Sequence, residues 1–333
     1  MPDYFYLHGP IRLVPSARLD TLQYNSLRAF LRLQPLREPH TFKSCNMNLI
    51  RLIALAALWG ASFLFMRIAG PAFGVVPLVA LRVSIAALLL LPVLRNAIAR
   101  RAFREHIGPL FLVGMTNSAL PFCLLTYAAL YVSAGVDSIL NATTPLWTAV
   151  IALLWLSSPL NRTQVLGMLL AFAGVVMLAW DAIGQGGPGT LGAVLAAMLA
   201  TLSYGFAANY SKQKLSGVQP YVAALGSQVF AAIVLVPAAF AYWPAAPIPA
   251  IDWFAVAMLG VFCTAIAYVL YFVLIRNAGP QYAASVTFLI PVFGVIWGAI
   301  FLNEKIGVAV LLPCLVILLG TALASGRIKI SKR

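Results

Sequence analysis

Charged side chains are scarce in this sequence. They make up 9% of its 333 residues, with only 8 Asp and Glu, whereas a soluble domain carries roughly 25%. Hydrophobic residues make up 62%, and the mean hydropathy is +0.94. A soluble fold cannot bury that much apolar surface. Apolar runs of ~20 residues recur along the chain, each long enough to cross a hydrocarbon core about 30 Å thick, so the sequence predicts a polytopic helical membrane protein.

The side chains that build catalytic and metal sites are also few. The histidines are His8, His40 and His106, all outside the apolar runs, and no run holds two carboxylates or a histidine with Ser or Cys. The 4 cysteines show no CxxC spacing. Catalytic triads, metal sites, acid/base pairs and disulfide frameworks therefore lack their parts. P-loop and dinucleotide motifs are absent too, so we expect no enzyme activity, no metal and no cofactor.

Ten apolar spans follow residue 46 and predict ten transmembrane helices. They cover roughly residues 49–68, 75–95, 108–129, 133–156, 163–181, 191–211, 220–241, 253–275, 281–302 and 306–325. Most connections are short, so consecutive helices are expected to be antiparallel neighbours. The glycine-rich linker 182–190 (AIGQGGPGT) divides the spans into a first half, 47–181, and a second half, 191–325.

Both ends of the chain are basic and lack a long apolar run. Residues 1–46 hold six basic residues against three acids. They predict a disordered cytosolic tail or a start-site artefact, since Met47 begins MNLIRLIALAALWG, the usual short basic start of a first membrane helix. Residues 326–333 form a second basic tail.

Lysine and arginine are distributed unevenly between the predicted loops. Cytoplasmic loops accumulate these residues. With the amino terminus placed inside, 19 of the 22 Lys and Arg fall inside, whereas Arg67 and Lys305 fall outside and Arg82 lies within a span. Both termini are therefore predicted to be cytoplasmic. The net charge of +14 is then explained by the topology and by contact with anionic lipid headgroups. It does not imply binding to nucleic acid.

One proline-centred segment occurs twice. A shift of 146 residues carries 131–156 onto 277–302 and Pro145 onto Pro291. Such a repeat determines the architecture. With five spans in each half, the second copy must enter the membrane from the opposite side. The predicted fold is an all-α membrane protein of ten transmembrane helices in two inverted five-helix repeats, a plan of secondary transporters that hold substrate near the midplane.

Several short motifs in the two halves carry a family resemblance. They are Trp59-Gly60, Ser62-Phe63, Leu81-Arg82, Pro92, Ala134-Gly135, Leu140 and Pro145, then Ala283 to Ser285, Pro291, Leu302-Asn303-Glu304-Lys305 and the glycine-containing tenth span. With these motifs, residues 49–325 resemble the EamA-type ten-helix proteins of the drug/metabolite transporter superfamily. The resemblance implies a path lined mainly by helices one, three, four, six, eight and nine. Ser158 departs from the pattern, because the family commonly has an acid there, as Glu304 provides in the second half.

Polar and aromatic residues within the spans are candidates for the substrate path. They are Trp59, Arg82, Asn117, Asn141, Thr144, Tyr204, Asn209, Thr264, Tyr268 and Thr287. Pro145 and Pro291 each free a carbonyl inside the membrane and are the candidate helix breaks facing a cavity. The alternative is a kink whose carbonyls are satisfied locally.

Two charged residues inside the spans carry open alternatives. Arg82 is either structural, paired with a carbonyl or with Asp137, or it recognises an anion such as a carboxylate. Asp137 is the coupling candidate, because proton-coupled transport requires a titratable group facing the path. The alternative for Asp137 is an acid in the first turn of a helix, stabilised by the helix dipole.

The resemblance and the repeat together imply a secondary transporter, an exporter or exchanger of small, often amino-acid-related metabolites, working by alternating access. The alternatives are an intramembrane enzyme, a channel or a non-transporting membrane subunit. The expected partners are a small-molecule substrate and membrane lipid, with a homodimer left open. The expected location is the bacterial plasma (inner) membrane.

Overall fold

The computed structural model describes residues 42–157, 159–185 and 187–325, and this part of the chain is helical, without strands. The long apolar helices are α1 (Phe42–Phe73), α2 (Val75–Leu90), α3 (Ile107–Tyr131), α4 (Ala134–Asn141, then Thr144–Leu156), α5 (Arg162–Gln185), α6 (Thr190–Lys214), α7 (Pro220–Ala241), α8 (Ala250–Ala278), α9 (Pro280–Ala283, then Val286–Leu302) and α10 (Val308–Ala324). A 3-10 turn, Leu91–Arg95, and a surface helix, Ala97–Glu105, connect α2 to α3. The predictions for residues 1–41, Ser158 and the tail 326–333 lie outside the described residues.

Eight of these segments are long and apolar enough to cross a membrane, counted within the described residues. The two others, Val286–Leu302 in α9 and Val308–Ala324 in α10, are apolar helices of 17 residues each. Most helix ends fall within a few residues of the predicted spans. The largest differences are that α1 begins before Met47, at Phe42, and that α5 continues to Gln185, inside the predicted linker.

The fourth and ninth helices are interrupted, but only one interruption lies at a repeated proline. In α4 the break falls at residues 142–143, and Pro145 is the second residue of the following helix, where a missing N–H costs little. In α9 the break falls at residues 284–285, whereas Pro291 lies inside the continuous helix Val286–Leu302. The prediction of a helix break at Pro291 is therefore wrong. Pro291 is close to the start of this helix, where a proline removes a single backbone hydrogen bond. The helix can tolerate that loss.

Local irregularities recur at the same spacing as the sequence repeat. The third and eighth helices each contain one π-helical turn, Met115–Ala119 and Val261–Ile266. Ser157 and Asn303 are the non-glycine residues with positive φ in the described chain, and they end α4 and α9. Single π-turns inside α-helices are frequent at functional sites. The two halves thus share a backbone design that hydrophobic periodicity does not reveal.

Glycines join the two halves in reciprocal pairs. A Cβ on Gly60 of α1 would lie 2.6 Å from Phe293 Cβ of α9, and a Cβ on the matching Gly205 of α6 would lie 2.8 Å from Thr148 N of α4. The glycine contacts of α3 on α7 and of α8 on α2 match in the same way, as do those between α5 and α10. A contact that each half makes in turn on the other is the mark of a two-fold relation.

Candidate functional site

A cavity of about 450 Å³ lies between the two halves. Eight helices line it, and α5 and α10, which pack against each other, do not. The lining agrees with the path implied by the family resemblance for α1, α3, α4, α6, α8 and α9. It adds α2 through Arg82 and α7 through Ala223 and Ser227, two helices that the resemblance did not include.

Most of the predicted path residues meet at this cavity. Its lining includes Trp59, Arg82, Asn117, Asn141, Thr144, Tyr204, Thr264, Tyr268 and Thr287. Asn209 is not among the lining residues, because its side-chain amide donates to Thr148 O at 3.0 Å and to Gly205 O at 2.9 Å. Asp137 is also outside the lining and is fully buried.

Arg82 is the cation of this cavity and is itself buried, with 4% of its surface exposed. Its Nε donates to Thr264 Oγ1 at 2.9 Å, in the π-turn of α8. The two terminal nitrogens have weaker partners, with Ser62 Oγ at 3.5 Å and Met66 Sδ at 3.6 Å. Cζ lies 3.9 Å from the centroid of the Phe122 ring, which is a cation–π contact. No ion pair of Arg82, with Asp137 or any other acid, occurs within the described residues.

The second half contains the same arrangement without the charge. Gln228 on α7 corresponds to Arg82 by the shift of 146, and Ser118 in the π-turn of α3 corresponds to Thr264. Gln228 Nε2 donates to Ser118 Oγ at 3.0 Å. The sequence analysis named Arg82 and Thr264 as separate path candidates and did not predict their contact. The repeat distance relates Arg82 to Gln228 and Ser118 to Thr264, but it does not show that Arg82 contacts Thr264 or that Gln228 contacts Ser118.

The interruption in α4 is satisfied locally. Thr144 Oγ1 donates to Asn141 O, the carbonyl that Pro145 leaves free, at 2.8 Å, and Thr143 Oγ1 donates to Leu140 O at 2.8 Å. The break therefore matches the locally satisfied kink. The side-chain oxygen Oδ1 of Asn141 has no partner in the described chain, although the residue lines the cavity. Asn141 thus offers an unused acceptor at the edge of the kink.

Glu304, just after α9, binds the beginning of α4. Its carboxylate accepts from Ala134 N at 2.7 Å and from Gly135 N at 3.1 Å. A carboxylate at a helix amino terminus satisfies free N–H groups and the helix dipole together. We refer to this contact as the Glu304 cap. It joins the two halves at one end of the bundle, and sequence reasoning did not foresee it.

The cavity extends unequally toward the two ends of the bundle. Its lining includes Ser211 and Pro220, at the two sides of the α6–α7 connection, and Ile275 near the end of α8. In the other direction it stops at Met66 in α1 and Leu125 in α3, roughly 10 Å before those helices end. The cavity is therefore closer to the end of the bundle that carries the α6–α7 connection.

Known proteins share this organisation. The model of the EamA-like transporter family matches residues 47–180 and again 191–326. The uncharacterized transporter YvbV of Bacillus subtilis is 27% identical over 84% of this chain and 92% of its own length, and the uncharacterized inner membrane transporter YedA of Escherichia coli K12 is 26% identical over 74% and 80%. A protein of Streptantibioticus cattleyicolor named "probable terminal-alkyne amino-acid exporter" is 22% identical over 76% and 84%.

A solved crystal structure superimposes with a TM-score of 0.60 at 16% identity, over 84% of this chain and 96% of that one, and supports the fold. The apolar helices and the inner-membrane relatives identify an integral multi-pass membrane protein and support the bacterial inner membrane as its location. Two matches to the family model, one on each half, cover most of the sequence. The chain belongs to the EamA-like transporter family.

Proposed function

We propose that this chain is a secondary transporter that exports or exchanges small metabolites related to amino acids. The observation that carries the proposal is the cavity of about 450 Å³ between two matching halves. Its volume suits a small molecule. The named exporter among the relatives favours amino-acid-related substrates, and its 22% identity makes that class a hypothesis for this chain.

The proposed topology has ten membrane crossings, with the two halves inverted and both termini in the cytoplasm. The distribution of Lys and Arg supports this orientation. In it, the α6–α7 connection with Lys212 and Lys214 is cytoplasmic, and Ser211 and Pro220 put that end of the cavity near the cytoplasm. Alternating access then consists of rocking between the halves, which closes this end and opens the other.

The test is counterflow in vesicles that contain the purified chain. Vesicles are loaded with one unlabelled amino acid, the same labelled compound is added outside, and the amino acids are screened in turn. A carrier accumulates label transiently and saturates with concentration. Flux that rises linearly with the gradient would indicate a channel, and no flux of any screened compound would remove the support for amino-acid-related substrates.

A further inference from the structure

We infer that Arg82 binds the carboxylate of the transported molecule, an inference that rests on the proposed function and names its substrate class. The first observation is a charge without a counterion. Arg82 is buried and lines the cavity, and within the described residues the ion pair is Arg101 with Glu105, on the surface helix. Burying a charge costs several kcal/mol unless it is paired. An anionic ligand in the cavity would supply the missing partner.

The second observation is that the terminal nitrogens of Arg82 are poorly occupied. Only Nε has a short hydrogen bond, at 2.9 Å to Thr264. The remaining partners, a hydroxyl at 3.5 Å and a sulfur at 3.6 Å, are weak acceptors or distant ones. A guanidinium held through Nε presents its two terminal groups as a fork that matches the two oxygens of a carboxylate.

The third observation separates the charge of Arg82 from its structural contact. Gln228 makes the equivalent bond to Ser118, at 3.0 Å, with a neutral side chain. The hydrogen bond from α2 or α7 to the π-turn that faces it thus needs only a donor, not a charge. The positive charge of Arg82 is therefore not needed for this contact between helices. Arg82 lines the cavity, whereas the neutral Gln228 does not.

The cavity also selects among anions. Arg82 is the one Lys or Arg among its lining residues, so a singly charged group is balanced and a dianionic phosphate is not. The neighbouring walls are aromatic. The ring centroids of Trp59 and Tyr271 are 5.4 Å apart, and those of Tyr268 and Phe272 are 6.0 Å apart. These walls suit the apolar part of a small carboxylic acid.

The experiment measures binding and does not depend on transport. Purified protein in lipid nanodiscs is titrated by thermal shift with a panel of monocarboxylates: the protein amino acids other than Asp and Glu, their N-acetyl derivatives and 3-phenylpropanoate. Each acid is paired with its own carboxamide, which has the same shape without the negative charge, and inorganic phosphate is added as a dianion. We expect at least one acid to stabilise the wild type while its amide does not.

The variants are matched to the repeat. Arg82→Gln keeps a donor for Thr264 and copies the residue of the second half, so we expect it to fold and to bind the acid at least about 10-fold more weakly, the loss of one charge-assisted contact. Gln228→Met removes the equivalent bond in the second half and should bind the acid as the wild type does. Arg82→Lys keeps the charge without the fork and should be intermediate.

Three results would overturn the inference: no acid stabilises the wild type more than its amide, Arg82→Gln binds the acid as tightly as the wild type does, or phosphate alone produces the shift. Counterflow without such binding would retain the transporter and remove the carboxylate site. Binding that depends on Arg82 in a protein without counterflow would retain the site and remove the transport function.

Discussion

Asp137 is a buried acid without a polar partner among the described residues. It is fully buried, and neither carboxylate oxygen has a hydrogen-bond partner in the described chain. The free N–H groups at the start of α4 are already satisfied: Glu304 takes those of Ala134 and Gly135, and Ser133 takes the next two. Capping therefore does not require this acid. Its counterpart in the second half, by the repeat distance, is Ala283.

Asp137 lies outside the cavity lining in this structure, so a coupling role requires the movement between the halves to bring it to the path. On this proposal, we expect Asp137→Asn to uncouple transport from the proton gradient. Asparagine keeps the size of the side chain and removes the group that can exchange a proton. A pH gradient should then no longer drive net flux in vesicles, whereas counterflow, which needs no net proton movement, should persist. Both assays on the same preparation check this, with a thermal melt to show that the variant is folded. Flux that still responds to the gradient would assign Asp137 a structural role.

The sequence predicted which side chains line the cavity better than it predicted their hydrogen-bond partners. Trp59 and Tyr268 were identified because side chains that can form hydrogen bonds are a minority inside apolar spans. Asn209 looked equivalent, but its amide is occupied by backbone carbonyls of α4 and α6, and a single sequence does not show which partner a side chain chooses. For the same reason the pairing of Arg82 with Thr264 could not be read from the sequence.

The sequence likewise predicted the helices but not the irregularities of the backbone within them. Runs of about 20 apolar residues predicted every long helix, since that signal depends on local composition alone. The π-turns Met115–Ala119 and Val261–Ile266 could not be predicted, because a single π-turn inside an α-helix does not interrupt the run of apolar residues. Pro291 misled for a related reason. A proline indicates a lost hydrogen bond, but tertiary packing decides whether the helix breaks there.

Close approach of α6 to α4 depends on Gly205. A Cβ there would meet two backbone atoms at 2.8 Å, Thr148 N and the carbonyl carbon of Trp147, and backbone cannot move aside as a side chain can. Small residues at such crossings allow membrane helices to pack closely. The matching crossing of α1 on α9, at Gly60, is similarly tight. We take these two crossings as the places where the halves are fitted to each other.

Gly205→Ala should therefore destabilise the protein by about 1–3 kcal/mol, the usual cost of overpacking, and slow counterflow. The control is Gly108→Ala in α3, because a Cβ at Gly108 meets nothing within 4 Å. Alanine favours helix over glycine by up to about 1 kcal/mol, so the control should be neutral or stabilising. Unfolding in lipid nanodiscs compares the two. Equal melting temperatures for the wild type and Gly205→Ala would show that the crossing can adjust.

At the scale of the whole molecule, the two ends of the bundle differ in their polar contacts. Arg67 donates from Nη1 to Ala129 O at 2.6 Å and joins α1 to α3. Its counterpart Lys212 is exposed and makes no hydrogen bond or ion pair within the described chain, and the residue corresponding to Ala129, Ile275, lines the cavity instead. The end with the contact is the one that the cavity does not reach.

The Glu304 cap follows the same asymmetry. In the second half the positions that match Ala134 and Glu304 are Pro280 and Ser158. Proline has no N–H to donate and serine has no carboxylate to accept, so the sequence excludes an equivalent carboxylate cap there. One end of the bundle thus carries a charge-assisted bond between the halves that has no equivalent at the matching positions of the other end. With the proposed topology, the capped end faces outward.

We expect Glu304→Gln to shift the protein toward an outward-open state, because charge-assisted bonds to the N–H groups of Ala134 and Gly135 are stronger than those of a neutral amide. In a cysteine-free background, Met66→Cys reports this shift, since Met66 lines the cavity at its outer limit. A membrane-impermeant maleimide added outside should label this cysteine faster when Glu304→Gln is also present. Glu105→Gln, an exposed acid on the surface helix, should leave the rate unchanged. Equal labelling with and without Glu304→Gln would mean that the closed end is held by apolar packing, and the cap would then serve the stability of α4 alone.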